Sequence, residues 1–200
     1  MKRLGILGGT FDPIHIGHMQ MAYAAYRRLG LDTVYVIPAG YPYFKGRVTP
    51  YSLRCDMVKI VLNSMNEERG VRTESGREVF RLSLIEASED RPAYTYETLS
   101  RIHTDEPDSK LYFICGKDVF ESIDSWKYPD RVLKEASLVV FDRGGEGQSV
   151  APINTDIYKD AEIISLDEYM DRGDGMIAVC VSEKHADLIE EQLRNKGLRK

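Results

Sequence analysis

The sequence predicts a single α/β domain built on a doubly wound parallel sheet. Short apolar, β-branched runs alternate along the 200 residues with longer stretches of helical spacing. Three of the runs stop at glycine or proline followed by polar residues, and no internal repeat or low-complexity segment breaks the alternation.

Residues 4–7 are an apolar run ending at Gly8 and Gly9, which predicts a buried first strand. Beyond a loop over residues 10–14, residues 16–29 place Met19, Ala22, Tyr23 and Tyr26 on one helical stripe. Residues 33–37 are β-branched and aromatic, a second strand stopped by Pro38. Thr49 then predicts a helix N-cap, with Pro50 at the first helical position and the helix running to about Met65. Residues 66–90 are polar apart from an apolar patch at 80–85. Residues 94–102 predict a helix, 111–115 a strand ending at Gly116, and 137–141 another strand. A loop over 144–156, a short strand at Ile163 and Ile164, and a capped helix over 182–195 complete the chain. Such a Rossmann-like sheet binds ligands at the carboxyl ends of its strands, which places the candidate site along Gly8, Pro38 and Gly116.

Composition narrows the function classes. The chain is 42% hydrophobic and 30% charged with a net charge of −5, and it holds no Lys/Arg tract, which argues against a nucleic-acid partner. Cys55, Cys115 and Cys180 lack CxxC spacing or histidine partners, so they predict buried reduced thiols rather than a disulfide framework or a zinc site. The basic start Met1-Lys2-Arg3 leads into an apolar run broken at Gly8, too short for a signal peptide, and no run reaches membrane-span length. The expected setting is cytoplasmic, with no membrane partner.

The informative segment is residues 8–18, where Gly8, Gly9 and Thr10 lead to His15, Gly17 and His18. A glycine turn brings backbone close to a ligand, and the helix start that follows presents unpaired N–H groups to an anion. His15 and His18 are three apart and project from one side of the first turn. Gly17 between them predicts space for a triphosphate. Two imidazole donors beside a positive helix end predict a cradle for charge developing on a phosphoryl group. G-x-G-x-x-G is absent after the first strand, which disfavours a hydride-transferring dinucleotide enzyme, and there is no G-x-x-x-x-G-K-[ST].

Residues 8–18 resemble the signature of the nicotinate-nucleotide adenylyltransferases, members of the HxGH nucleotidyltransferase superfamily. The resemblance continues through Pro42-Tyr43-Phe44-Lys45, Arg54 with Met57, the segment Pro92-Ala93-Tyr94-Thr95-Tyr96-Glu97-Thr98-Leu99, residues 111–118 with Trp126, and Arg143-Gly144. It implies one nucleotidyltransferase domain over residues 1–200, with 66–80 a surface insertion. It also implies attack by an acceptor phosphate on the α-phosphorus of ATP, with nicotinate mononucleotide as acceptor and Mg²⁺ travelling with ATP rather than held in a protein cage.

The resemblance also implies a role for each residue. His18 meets the α-phosphate and His15 the neighbouring phosphates, with Lys45 as a mobile cation. Gly8, Gly9, Thr10, Phe11, Gly17, Gly116, Asp118 and Arg143 contact ATP, while Arg54, Tyr94, Thr95 and Trp126 contact the acceptor. Where the family carries a Ser-Ser-Thr-x-x-Arg helix start, this chain reads Ser165-Leu166-Asp167-Glu168-Tyr169-Met170. Ser165 and Glu168 make a capping box there, and the two acids of the first turn disfavour a triphosphate. Transfer to nicotinamide mononucleotide or phosphopantetheine stays open at this point, as does a nucleotide-binding regulator without turnover.

Overall fold

The computed structural model describes residues 1–43, 45–69, 72–73, 75–87, 90–142 and 162–165. Its elements are β1 (Lys2–Gly9), α1 (Ile16–Leu29), β2 (Thr33–Pro38), α2 (Tyr51–Arg69), β3 (Phe80–Leu82), α3 (Thr95–Asp105), β4 (Ser109–Gly116), α4 (Lys117–Glu121), a 3-10 turn (Ile123–Ser125), α5 (Pro129–Glu135), β5 (Ala136–Asp142) and β6 (Glu162–Ser165). The strands form a single sheet in the order β3-β2-β1-β4-β5-β6, each neighbouring pair parallel. The α/β class, the doubly wound parallel sheet and the short strand at Ile163 and Ile164 match the sequence-based expectation.

Alternation of side chains along the strands splits the core in two. Leu7, Val34, Val36, Tyr112 and Ile114 face α1 and α2, where Met19, Ala22, Val58 and Leu62 meet them. Leu4, Ile6, Leu111, Phe113 and Cys115 face the opposite layer, with Leu99, Ile102, Phe120 and Val132. Runs of apolar residues without polar alternation are what a strand covered on both faces requires. Helix α1 ends at Gly30, which adopts φ 57° and donates its N–H to the Tyr26 carbonyl, a left-handed stop that glycine takes without a Cβ penalty. Arg27 and Arg28 sit in the last turn, where they complement the helix dipole.

Two boundaries differ from expectation. Helix α2 begins at Tyr51, with the Pro50 carbonyl accepting from the Leu53 and Arg54 amides at 3.0 and 3.2 Å. The cap is therefore Pro50, one residue later than Thr49. Thr49 is engaged elsewhere: its N–H donates to Asp12 Oδ2 at 2.9 Å and its carbonyl accepts from Arg54 Nε at 2.9 Å. The helix also runs past Met65 to Arg69. Of the stretch expected as a surface insertion, Arg72 and residues 75–78 are exposed, while Asn66, Val79 and Phe80 are buried. The helix expected over 182–195, the loop over 144–156 and Cys180 lie outside the described residues. Cys55 and Cys115 are buried free thiols. Among the described residues no helix is long and apolar enough to cross a membrane.

Asn66 shows why α2 extends beyond its expected end. Its side chain is fully buried and pairs with both backbone groups of Phe80: Nδ2 donates to the carbonyl at 2.8 Å, and Oδ1 accepts the N–H at 3.2 Å. One amide thus stands in for a neighbouring strand at β3. Asn66→Ala removes both bonds and leaves buried backbone groups without partners, which should cost about 2–4 kcal/mol. For a chain of this size that is a fall of roughly 4–16 °C in Tm by calorimetry. A Tm within one degree of the parent would refute the role given to this amide.

Candidate active site

The site is assembled from the segments that leave the carboxyl ends of the parallel strands. β1 ends at Gly9, and the chain turns through residues 10–14 into α1. Phe11 holds φ 50°, a left-handed conformation that costs a non-glycine residue about 1–2 kcal/mol. Burial of its ring, only 2% exposed, opposes that cost. A Cβ on Gly9 would stand 2.9 Å from this ring, so the second glycine of the motif makes room for Phe11. Phe11 in turn meets the His18 ring edge-on, with centroids 5.0 Å apart. Its placement is behind the histidine, as a support to the ring.

His15 is the N-cap of α1, extended at φ −141° and ψ 173°. Its ring stacks on His18 at 3.7 Å between centroids and 28° between planes. The His15 N–H donates to His18 Nδ1 at 3.2 Å, and the His15 carbonyl accepts from the His18 amide at 3.0 Å. Because Nδ1 accepts, the proton of a neutral His18 belongs on Nε2. The first turn of α1 contains no acidic residue. A Cβ on Gly17 would lie 3.3 Å from Cε1 and Nδ1 of His15, so its bare Cα makes room for the imidazole.

Arg54 is 1% exposed and reaches back from α2 to the loops after β1 and β2. It donates to the carbonyls of Thr10 at 2.6 Å, Ala39 at 2.8 Å and Thr49 at 2.9 Å. The Ala39 amide donates to the Gly9 carbonyl at 2.8 Å, which adds a further tie between the two loops. Expected at the acceptor, Arg54 holds the backbone around the histidine loop. It also borders a cavity of about 320 Å³ beside Lys45, Tyr43, Thr49 and Tyr51. The loop expected to carry the mobile cation thus leads into a space, with Lys45 exposed at its edge.

A second cavity of about 370 Å³ gathers Tyr94, Thr95 and Trp126, together with Tyr43, Val119 and Lys127. Trp126 is half-buried, edge-on to Phe113 at 5.8 Å, and its Nε1–H donates to Ser122 Oγ at 3.2 Å. One edge therefore belongs to the core while the residue lines the cavity. Thr95 and Tyr96 open α3, where first-turn amides have no intrahelical acceptor, and the N-cap Tyr94 supplies no capping side chain. Gly116 caps α4, and a Cβ on it would stand 2.6 Å from Asp118 Oδ1, which keeps that carboxylate against bare backbone. Arg143 and residues 166–172 lie outside the described residues, and Ser165 closes β6. Sequence reasoning missed Tyr43, which borders both cavities, and Lys127, whose only local signal is its place after Trp126.

The model of the cytidylyltransferase-like family matches residues 6–191. A protein of Clostridium botulinum (strain Alaska E43 / Type E3), named "Probable nicotinate-nucleotide adenylyltransferase", is 35% identical over 98% of this chain and 88% of its own length. One of the same name from Clostridium novyi (strain NT) is 40% identical over 72% of this chain and 68% of its own. The solved structure of Plasmodium falciparum nicotinic acid mononucleotide adenylyltransferase complexed with NaAD is similar in fold. Its TM-score is 0.67 over 82% of this chain and 75% of that chain, at 21% identity.

Behind the second cavity lies a carboxyl that the motifs did not single out. Thr98 Oγ1 donates to Glu86 Oε1 at 2.6 Å, and Arg101 donates to the Ile85 carbonyl at 2.7 Å, which together dock residues 85–86 on α3. Burial lifts the Glu86 carboxyl from its ordinary 4.5 to about 7, against the lowering effects of the Thr98 hydroxyl and the Arg101 charge. The folded protein then binds more protons than the unfolded chain between about pH 4.5 and 7, so this group's stabilisation is lost as pH rises through that window. Glu86→Gln, which has no proton to lose, should show a smaller fall in Tm from pH 5 to pH 8 than the parent. Parallel Tm profiles for the two proteins would remove Glu86 as the source of the slope.

Proposed function

We propose a function for a chain that belongs to the cytidylyltransferase-like family and, within it, to the nicotinate-nucleotide adenylyltransferases: it transfers the adenylyl group of ATP to nicotinate mononucleotide. A phosphate oxygen of the acceptor forms a bond to the α-phosphorus of ATP as the bond to the α,β-bridging oxygen breaks. Deamido-NAD and pyrophosphate leave. A phosphate monoester is already largely ionised near neutral pH, its second pKa being about 6, so no general base is required. Catalysis then rests on alignment and on stabilising charge at the reacting phosphoryl group.

The observation that carries this function is the stacked imidazole pair at the start of α1, whose first turn holds no acidic residue. His18 directs a proton from Nε2 to the α-phosphate, while His15 and the amides of Gly9 and Thr10 serve the adjoining phosphates. Lys45 supplies a positive charge from its exposed loop, and Gly116 with Asp118 borders the ATP ribose. The nicotinate ring stacks on Trp126 between Tyr94 and the opening amides of α3. Arg54 acts as a positioning residue that keeps the phosphate loop against β2.

Among the described residues no group of three or more His, Cys, Asp or Glu side chains could form a metal cage. Mg²⁺ travels with ATP, held largely by phosphate oxygens and water.

Two substitutions test the assignment. Purified protein with ATP, Mg²⁺ and nicotinate mononucleotide should release pyrophosphate, and His18→Ala should lower kcat roughly a hundredfold, the loss of about 3 kcal/mol expected for one preorganised donor. A folded His18→Ala protein with near-parental kcat would refute the role of His18. Trp126→Ala should raise the acceptor KM roughly fivefold to a hundredfold, a stacking loss of about 1–3 kcal/mol, with KM for ATP unchanged. Loss of ATP affinity alongside would assign Trp126 to the core instead of the acceptor.

A further inference from the structure

The amino ends of the strands gather a second set of positive charges, at the opposite edge of the sheet from the histidine loop. Arg3 of β1 and Lys110 of β4 are register partners, so both side chains leave the same face of the sheet. Tyr112, two residues beyond Lys110, shares that face and pairs in register with Ser137 of β5. These residues and Leu29, the last residue of α1, line a cavity of about 570 Å³. Arg3 Cζ stands 5.0 Å and Lys110 Nζ 5.2 Å from the centroid of the Tyr112 ring. Gly9 follows Arg3 by six positions, so this cavity lies about 20 Å along the sheet from the histidine loop.

Charge in the cavity is unbalanced. Among the described residues no carboxylate lines it, and neither cation's side chain has an ion pair or a hydrogen bond. Arg3 Nε is buried without an acceptor. Two acids at these strand ends are engaged elsewhere: Asp32 accepts the Arg3 backbone N–H at 2.7 Å, and Glu106 pairs with Lys2 at 2.7 Å. Asp108, two positions before Lys110, makes no ion pair among the described residues. A ring face attracts a cation without neutralising it, and two like charges on one ring repel each other.

We propose that this cavity is a second anion site, which takes the phosphate group of a small molecule between Arg3 and Lys110. Charge selects phosphate: a phosphate monoester carries about −1.5 to −2 near neutral pH, which matches two cations where a carboxylate matches one. Geometry selects it as well. The planar guanidinium presents paired N–H donors to two oxygens of one phosphate, while the lysine meets another as a point charge. Ser137 adds a hydroxyl donor at the wall. An extended polyanion is disfavoured, because the chain's net charge is −5 and the two cations line a recess rather than a basic stripe. The site shares no residue with the one proposed for adenylyl transfer, and it lies at the strand ends opposite those where sheets of this class hold their substrates. Its role is therefore binding and not catalysis.

The probes are inorganic phosphate and ribose 5-phosphate, with acetate as the carboxylate control. Each is titrated by calorimetry into the His18→Ala protein, in which the histidine loop has lost a donor, and into the same protein carrying Lys110→Met or Lys110→Glu. Lys110 is exposed, so these proteins should fold alike, which circular dichroism checks. Lys110→Met should weaken phosphate about tenfold, the loss of one charge-assisted contact. Lys110→Glu, which places a carboxylate beside Arg3, should abolish binding. Acetate should bind about tenfold more weakly than phosphate to the protein that keeps Lys110. Phosphate should also raise the Tm of that protein and leave the Tm of the Lys110→Glu protein unchanged. Tighter binding of ribose 5-phosphate than of inorganic phosphate supports the site and identifies an ester as its occupant, while the reverse order supports it for the free anion. Equal phosphate affinity with and without Lys110 overturns the site, and acetate bound as tightly as phosphate overturns its selectivity.

Discussion

The buried guanidinium of Arg54 is the interaction on which the site depends. A charged side chain that is 1% exposed persists only when hydrogen bonds replace the water it has lost. Arg54 finds them on Thr10, Ala39 and Thr49, which belong to the loop after β1, the loop after β2 and the approach to α2. None of these carbonyls lies within the regular hydrogen bonding of a helix or strand, and the planar fork of arginine meets all three at once. Asp12 accepting the Thr49 N–H and Ala39 donating to Gly9 close the same ring of loops from other sides. The histidine loop is therefore fixed from behind by a network that a lysine, with one compact ammonium, does not reproduce.

With the loop fixed, the chemistry divides along the sheet edge. The start of α1 offers donors and no acid, a setting for phosphate charge. The cavity at the start of α3 offers a tryptophan, tyrosines and small hydroxyl residues, a setting for a planar ring. Tyr43 borders this cavity and the one beside Lys45, and its ring stands 6.1 Å from Tyr94. A chain with a net charge of −5 thus presents a positive helix end and exposed lysines along this edge of the sheet.

Much of the fold was legible because it follows from local periodicity. Helix α1 was readable to both of its ends, and β1, β2, β4 and β5 to within two residues, since each carries its pattern inside a few consecutive residues. Errors came where distant partners intervene. Thr49 has the chemistry of a cap, but Asp12 and Arg54 take its backbone groups, and Asn66 extends α2 by binding β3. The same rule holds in the site. The spacing of His15 and His18 put both on one side of the first turn, where their rings stack, whereas sequence does not show that the bare Cα of Gly17 makes room for the His15 ring. Arg54 reaches Thr10 across 44 positions, so its tie to the histidine loop has no local signature.

The strand order also governs how the protein is made. β1 carries the histidine loop and lies between β2, which follows about thirty residues later, and β4, which follows about a hundred residues later. At ribosomal rates of about 5–20 residues per second, the β4-facing edge of β1 waits roughly 5–20 seconds for its partner. During that interval its unpaired N–H and C=O groups can accept a strand from another chain. A strand from the interior of the finished sheet thus keeps one edge open until β4 emerges.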